Sequence, residues 1–221
     1  MNRKPFETDK YYHVYNRGTD KRRIFMDNAD YLRFIFAMKE FNTNEPVVLK
    51  TRKNHLNESK VQPCTDKPLV GIVAWTLMPN HYHLLIRQVE DGGASKFLQK
   101  LITGYSMYFN EKYKRSGVLF QGRTKSVPIE ADAQLLQVSR YIHLNPLDLF
   151  SGKWKTEGIL WAEAKTFLDS YPWSNIKSFS KGAKENEIIL AQMESGGYDK
   201  FLSEWTEREY EYIRDYIIDE E

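Results

Sequence analysis

Two histidines and a tyrosine carry the side-chain types and spacing that could do chemistry. His81 and His83 stand two apart in Met78-Pro79-Asn80-His81-Tyr82-His83-Leu84-Leu85-Ile86, just after the apolar run Val70-Gly71-Ile72-Val73-Ala74-Trp75-Thr76-Leu77. Both segments read as buried β-strands, rich in branched and aromatic residues and separated by a Pro-Asn turn signal. Alternate side chains of a strand share a face, so the two imidazoles lie side by side while Tyr82 turns the other way. Neutral imidazole is a common ligand, and the pair could hold one divalent cation. On spacing alone, a half-exposed strand with two incidental histidines is the more economical reading.

The tyrosine is Tyr141, in Ala133-Gln134-Leu135-Leu136-Gln137-Val138-Ser139-Arg140-Tyr141-Ile142-His143-Leu144-Asn145. This stretch reads as a helix, capped by Asp132 and ended by Pro146, with Leu135, Val138 and Ile142 as its buried stripe. Tyr141 shares a face with Gln134, Gln137 and Asn145. A tyrosine among amides suits a site, although partly buried tyrosines are common in any fold. His143, two residues on, points elsewhere.

The remaining elements must position these groups. Residues 10–18 alternate like a first strand that ends at Gly18, with His13 open as a third ligand or as an ordinary structural histidine. Asp27-Asn28-Ala29-Asp30 opens a helix, with Leu32, Ile35, Met38 and Phe41, or their neighbours Tyr31 and Phe34, as the apolar stripe. Residues 42–68 lose periodicity and read as an inserted loop. A second helix runs from Ser95 to about Lys114. Phe97, Leu98, Leu101, Ile102, Tyr105, Tyr108 and Phe109 form its apolar face, which makes Tyr105 and Tyr108 core residues rather than rival nucleophiles. A short strand follows, ending near Ile129. Residues 147–184 read as a loop-rich segment anchored by Trp154, Trp161, Tyr171 and Trp173. Two acidic helices, 186–195 and 198–219, would end the chain.

Charge divides along the chain. Residues 1–184 hold 29 Lys and Arg against 18 Asp and Glu, and residues 185–221 hold 3 against 12. A basic body suggests a polyanion surface, and the acidic tail is either a solvated helix or a segment that lies on that surface and competes for it. Arg17, Arg22 and Arg23 are candidate phosphate contacts in the turn after the first strand. From Lys112 to Lys125 there are five cations and no acid, interleaved with Tyr113 and Phe120. Lys112, Lys114, Arg115, Arg123 and Lys125, with Gln121, therefore suit single-stranded nucleic acid. No apolar run approaches the roughly 20 residues of a membrane span. With one cysteine, Cys64, and no secretion-like leader, the expected compartment is the cytoplasm.

The phrase Met78–Ile86 resembles the His-hydrophobic-His (HUH) motif of single-tyrosine transposases. Tyr141-Ile142-His143-Leu144-Asn145-Pro146 resembles the nucleophile motif of REP-associated tyrosine transposases. Tyr12-His13-Val14-Tyr15-Asn16-Arg17-Gly18, Phe120-Gln121-Gly122-Arg123 and Tyr171-Pro172-Trp173-Ser174 extend the likeness over roughly residues 10–175.

The resemblance implies an α+β fold: an antiparallel sheet with helices on one side, the ferredoxin-like palm of HUH enzymes. Residues 1–184 would be the catalytic domain, extended by an acidic helical tail over 185–221. It also implies Mg²⁺ or Mn²⁺ held by His81 and His83, with Asn145 completing the site where relatives commonly carry glutamine. Tyr141 would attack a scissile phosphate to give a 5′-phosphotyrosine. The implied partner is single-stranded DNA bearing a REP-like hairpin, and a homodimer that exchanges the tyrosine helix is possible in such a family. Two alternatives stay open: a non-catalytic nucleic-acid-binding module, and a metal-dependent nuclease that hydrolyses with water.

Overall fold

The computed structural model describes residues 5–46, 67–179 and 197–214. Most of the expected inserted loop and the expected helix 186–195 lie outside the described residues. In chain order the elements are β1 (Tyr11–Arg17), a 3-10 turn (Thr19–Lys21), α1 (Asn28–Glu40), β2 (Val70–Met78), β3 (His81–Gln88), α2 (Gly93–Lys112) and β4 (Lys125–Ile129). They continue with α3 (Asp132–Leu144), a 3-10 turn (Asn145–Leu149), α4 (Trp154–Glu157), α5 (Trp161–Ser170), α6 (Ile176–Phe179), α7 (Gly197–Ser203) and α8 (Glu207–Ile213). The strands form one sheet in the order β2-β3-β1-β4, every neighbouring pair antiparallel. With α1 and α2 as the connections, this is the β-α-β-β-α-β ferredoxin-like arrangement, so the fold is α+β.

Both faces of the sheet are apolar, and helices cover both. Tyr12, Val14, Tyr82, Leu84 and Ile86 point into a core with Phe34, Met38, Phe97, Leu101 and Tyr105 from α1 and α2. Leu85, Val73 and Ala74 face the other way, onto Leu135, Val138, Tyr141 and Ile142 of α3. The one-sided packing expected from sequence is therefore replaced by a three-layer arrangement. Its physical cause is that β3 is buried on both faces along nearly its whole length.

Local signals explain the helix starts. Asp27 caps α1 by accepting from Asp30 N at 3.1 Å, and the Asp30 carboxylate reaches back to Asp27 N, a capping box. The α1 stripe is Tyr31, Phe34 and Met38, and Leu32 is 57 % exposed. At Gly104 a Cβ would stand 2.5 Å from the Phe41 ring, so glycine lets α2 approach the end of α1. Asp132 is the first helical residue of α3 rather than its cap, which is Ala131. The acidic C-terminal stretch breaks at Glu204–Thr206 and restarts with a Thr206/Glu209 capping box. Among the described residues no helix is long and apolar enough to cross a membrane.

Candidate active site

Period-two alternation along β3 puts His81 and His83 on the face of the sheet opposite Tyr82, which lies in the α1–α2 core. The two imidazole centroids are 5.0 Å apart with planes at 89°. His81 Nδ1 is 2.7 Å from Asn80 Oδ1, and the Asn80 amide nitrogen donates to the Lys21 carbonyl at 3.4 Å, which orients it. His81 Nε2 is 3.0 Å from Asn145 Oδ1. His83 Nδ1 is 2.9 Å from His13 Nε2. Its Nε2 is buried and has no hydrogen-bond partner among the described residues. Burial, reinforced by the charges His81 and His13 would carry, holds the pKa of His83 well below the usual histidine value, so its ring is neutral.

These atoms fit a divalent cation. A neutral imidazole has one N–H; with that of His81 given to Asn80, its Nε2 lone pair stands 3.0 Å from the Asn145 oxygen. An imidazole nitrogen and an amide oxygen 3.0 Å apart are donors that one divalent cation could share. Turning the Asn145 amide over would replace this with an N–H···N bond, but the unpartnered Nε2 of His83 would remain. Among the described residues no three His, Cys, Asp or Glu side chains group as a metal site. The donors that His81, His83 and Asn145 could offer are two imidazoles and an amide, and His13 lies against His83 Nδ1.

Leu135, Val138 and Ile142 seat α3 on the sheet and carry Tyr141 to the imidazoles. The Tyr141 ring meets His83 edge-on, centroids 5.5 Å apart at 90°, and lies 6.5 Å from His13. On its other sides are Trp154 at 6.1 Å and Trp205 at 6.3 Å. The Lys155 ammonium is 5.8 Å from the ring centre and pairs with Asp148 at 2.9 Å. Tyr141 is fully buried, contrary to the amide-lined face read from spacing. Gln134 accepts instead from Glu130 N at 2.7 Å, closing the start of α3, and Gln137 faces Arg140. Tyr105 is core as expected, its hydroxyl donating to the Ile24 carbonyl at 2.5 Å.

The candidate nucleic-acid contacts divide. Arg17, Lys21, Arg23, Asn80, His81 and Asp148 line one open cleft. Arg17 is braced by Gln121, whose side-chain oxygen Oε1 accepts from Nε, and Lys125 sits 5.8 Å from the Tyr15 ring, itself packed on His83. Arg123 and Lys114 are exposed. Arg22 folds back on the Thr19 carbonyl and Asp20. Lys112 lies elsewhere: its ammonium bridges Asp27 at 2.8 Å and Asp30 at 2.7 Å in the α1–α2 layer, where a DNA contact was expected. Arg115 packs on Phe109 and bonds Asn110. Neither expected stacking ring is free for bases, since Phe120 is buried in the core and Tyr113 donates to Asp30 at 2.7 Å. His13 was visible in sequence only as an undecided strand histidine, and Trp205 only as part of the apolar face of an acidic helix that could dock on the body or cover the site; Asp148 and Lys155 carried no motif or spacing that could have marked them.

The family described as IS200-like transposase matches residues 9–145, a span that takes in both histidines, Tyr141 and Asn145. Among solved structures, a REP-associated tyrosine transposase bound to a REP hairpin is similar, with TM-score 0.52 and 13 % identity, over 90 % of this chain and 96 % of that one. A protein described as a transposase from Deinococcus radiodurans R1 is similar with TM-score 0.37 and 15 % identity, over 64 % of this chain and 95 % of that one. Comparison with curated proteins gives no match. The first structure shares the α+β fold, and the family match spans well over half of the sequence: this chain belongs to the IS200-like transposase family.

Proposed function

We propose that the protein is a nuclease and strand transferase for single-stranded DNA, cutting next to a hairpin through a covalent bond to Tyr141. The observation that carries this reading is the edge-on contact of the Tyr141 and His83 rings within one chain, with Asn145 one turn further at His81. A site so composed needs no tyrosine from a second copy. The catalytic domain would span residues 1–184, and the protein would work in the cytoplasm.

His81, His83 and Asn145 would hold Mg²⁺ or Mn²⁺. When bound, such a cation neutralises charge on the non-bridging oxygens of the scissile phosphate. Tyr141 Oη then forms a bond to phosphorus as the bond from phosphorus to the 3′ oxygen breaks. The phenol proton leaves, the departing oxygen takes up a proton, and the products are a 5′-phosphotyrosine and a free 3′-OH. An incoming 3′-OH reverses these steps, and the stored phosphodiester makes ATP unnecessary. The phenol must give up its proton in this step, and the Lys155 ammonium, 5.8 Å from the ring centre, is the nearby cation. Arg17, Lys21, Arg23 and Lys125 would take the backbone of the strand, with Arg22, Lys114 and Arg123 as outlying contacts. Likeness to a structure holding a REP hairpin makes a REP-like stem-loop the substrate to try first.

Tyr141 is wholly buried, with Trp154 of α4 and Trp205 near its ring, so DNA would reach it after α4 and the C-terminal segment part from α3. The test is incubation with candidate hairpin DNA and Mn²⁺, followed by a denaturing gel. A protein–DNA adduct that disappears in Tyr141→Phe and persists in Tyr105→Phe and Tyr108→Phe is expected. Cleavage without an adduct would instead mean attack by water, and binding without either would mean a non-catalytic module.

A further inference from the structure

We propose that His13 is a positioning residue of the cation site: its Nε2 accepts the Nδ1 proton of His83, which keeps His83 Nε2 a bare lone pair directed at the cation. This rests on the reading of His81, His83 and Asn145 as ligands. In the register of β1 and β3, His13 pairs with Leu85 and Tyr15 with His83, so the two histidines are diagonal neighbours on one face. Both are fully buried. Their nitrogens are 2.9 Å apart while their ring centroids are 5.1 Å apart and the planes differ by 15°. The nitrogens therefore lie between the ring centres, and the contact is an in-plane hydrogen bond rather than face-to-face stacking.

That bond has two possible directions. Donation by His13 would force the proton of His83 onto Nε2, a buried N–H with no acceptor among the described residues. Orphaned buried donors are costly and rare, and a protonated Nε2 cannot bind a cation. Donation by His83 leaves a lone pair instead, which suits a ligand. Ligating histidines commonly give their other N–H to a carboxylate or carbonyl that fixes the tautomer. A carboxylate would also offset the cation's charge. An imidazole accepting through Nε2 carries no negative charge, so the cation's charge stays available to a phosphate.

The experiment is Mn²⁺ binding to the full chain without DNA, by calorimetry and by electron paramagnetic resonance of free Mn²⁺. His13→Gln and His13→Met are similar in size but differ in the acceptor oxygen. Binding weakened about 10- to 100-fold in His13→Met, and largely restored in His13→Gln, is expected at similar thermal stability. Equal binding in the two variants, with loss of binding in His83→Ala, would overturn the role of His13 and leave the cation site standing. No Mn²⁺ binding by the unaltered chain, or undiminished binding in His83→Ala, would overturn both.

Discussion

The guanidinium carbon of Arg140 lies 4.5 Å from the centre of the Phe201 ring and 5.6 Å from that of Trp205. These contacts join the helix that bears Tyr141 to the C-terminal helices. Burial lowers the Arg140 pKa to about 10, against the raising effect of Glu209 and Glu204. Its Nε and Nη2 have no hydrogen-bond partner among the described residues. The cation is held chiefly by aromatic faces and nearby acids, a contact that could be exchanged for phosphate.

Truncation after Lys184 removes that cover together with 12 acidic and 3 basic residues. Single-stranded DNA should then bind more tightly, most visibly at low salt, and the covalent adduct should form faster. Fluorescence anisotropy on a labelled oligonucleotide measures the first effect. Unchanged affinity would remove any competitive role for the tail.

Stability should fall in acid through His143. Its Nδ1 meets the Tyr198 hydroxyl, its Nε2 is 3.0 Å from Asn175 Oδ1, and burial lowers its pKa to about 4. The unfolded imidazole titrates near 6.5, so the unfolded state takes up the proton first. The contribution of His143 is complete above pH 6.5 and is lost as pH falls toward 4, by about 3 kcal/mol in total. Urea unfolding between pH 7 and 4.5 should show this slope, reduced in His143→Gln.

The Lys155–Asp148 pair should matter more than its exposed counterpart. Lys155 and Asp148 side chains are 9 % and 16 % exposed, and Asp148 also accepts from Trp154 Nε1 at 2.6 Å. Asp148→Ala removes one partner of a mostly buried ion pair and should cost about 3–5 kcal/mol. Glu157→Ala breaks the exposed pair with Lys153, which water and salt already screen, and should leave stability almost unchanged. Denaturant midpoints of the two variants would separate these outcomes.

Chelation by EDTA should abolish adduct formation, and Mn²⁺ should restore it. If the Asn145 oxygen is a ligand, Asn145→Asp should tighten Mn²⁺ binding by about tenfold, because a carboxylate is the stronger donor to a hard cation. Asn145→Leu should weaken it. Calorimetry on the three proteins would show whether the order Asp, Asn, Leu holds.

Much of the scaffold was legible because it depends on neighbours in sequence. Alternation alone placed Tyr82 opposite His81 and His83, and Asp27 with Asp30 marked the start of α1. Helical spacing assigned Tyr105 to the core. The surroundings of Tyr141 were not legible in the same way. Periodicity describes the faces of one helix, and α3 is buried on several because the sheet lies on one side and Trp154, Tyr198, Leu202 and Trp205 on the others. The acidic composition of the last 37 residues left open whether they are solvated or lie on the body, and the structure packs their apolar side chains Tyr198, Leu202, Trp205 and Ile213 into the second core. Lys112 likewise looked like a DNA contact until α1 brought two carboxylates to it.

The sequence by itself determined which side chains could face one another across a strand or along a helix, since backbone geometry repeats with a fixed period. Only the tertiary structure decided that His13 backs His83, that Lys155 lies beside Tyr141, and that Trp205, between the two C-terminal helices, packs near the Tyr141 ring. Each of those contacts joins segments far apart in the chain, and no local period encodes which distant surfaces will be buried together.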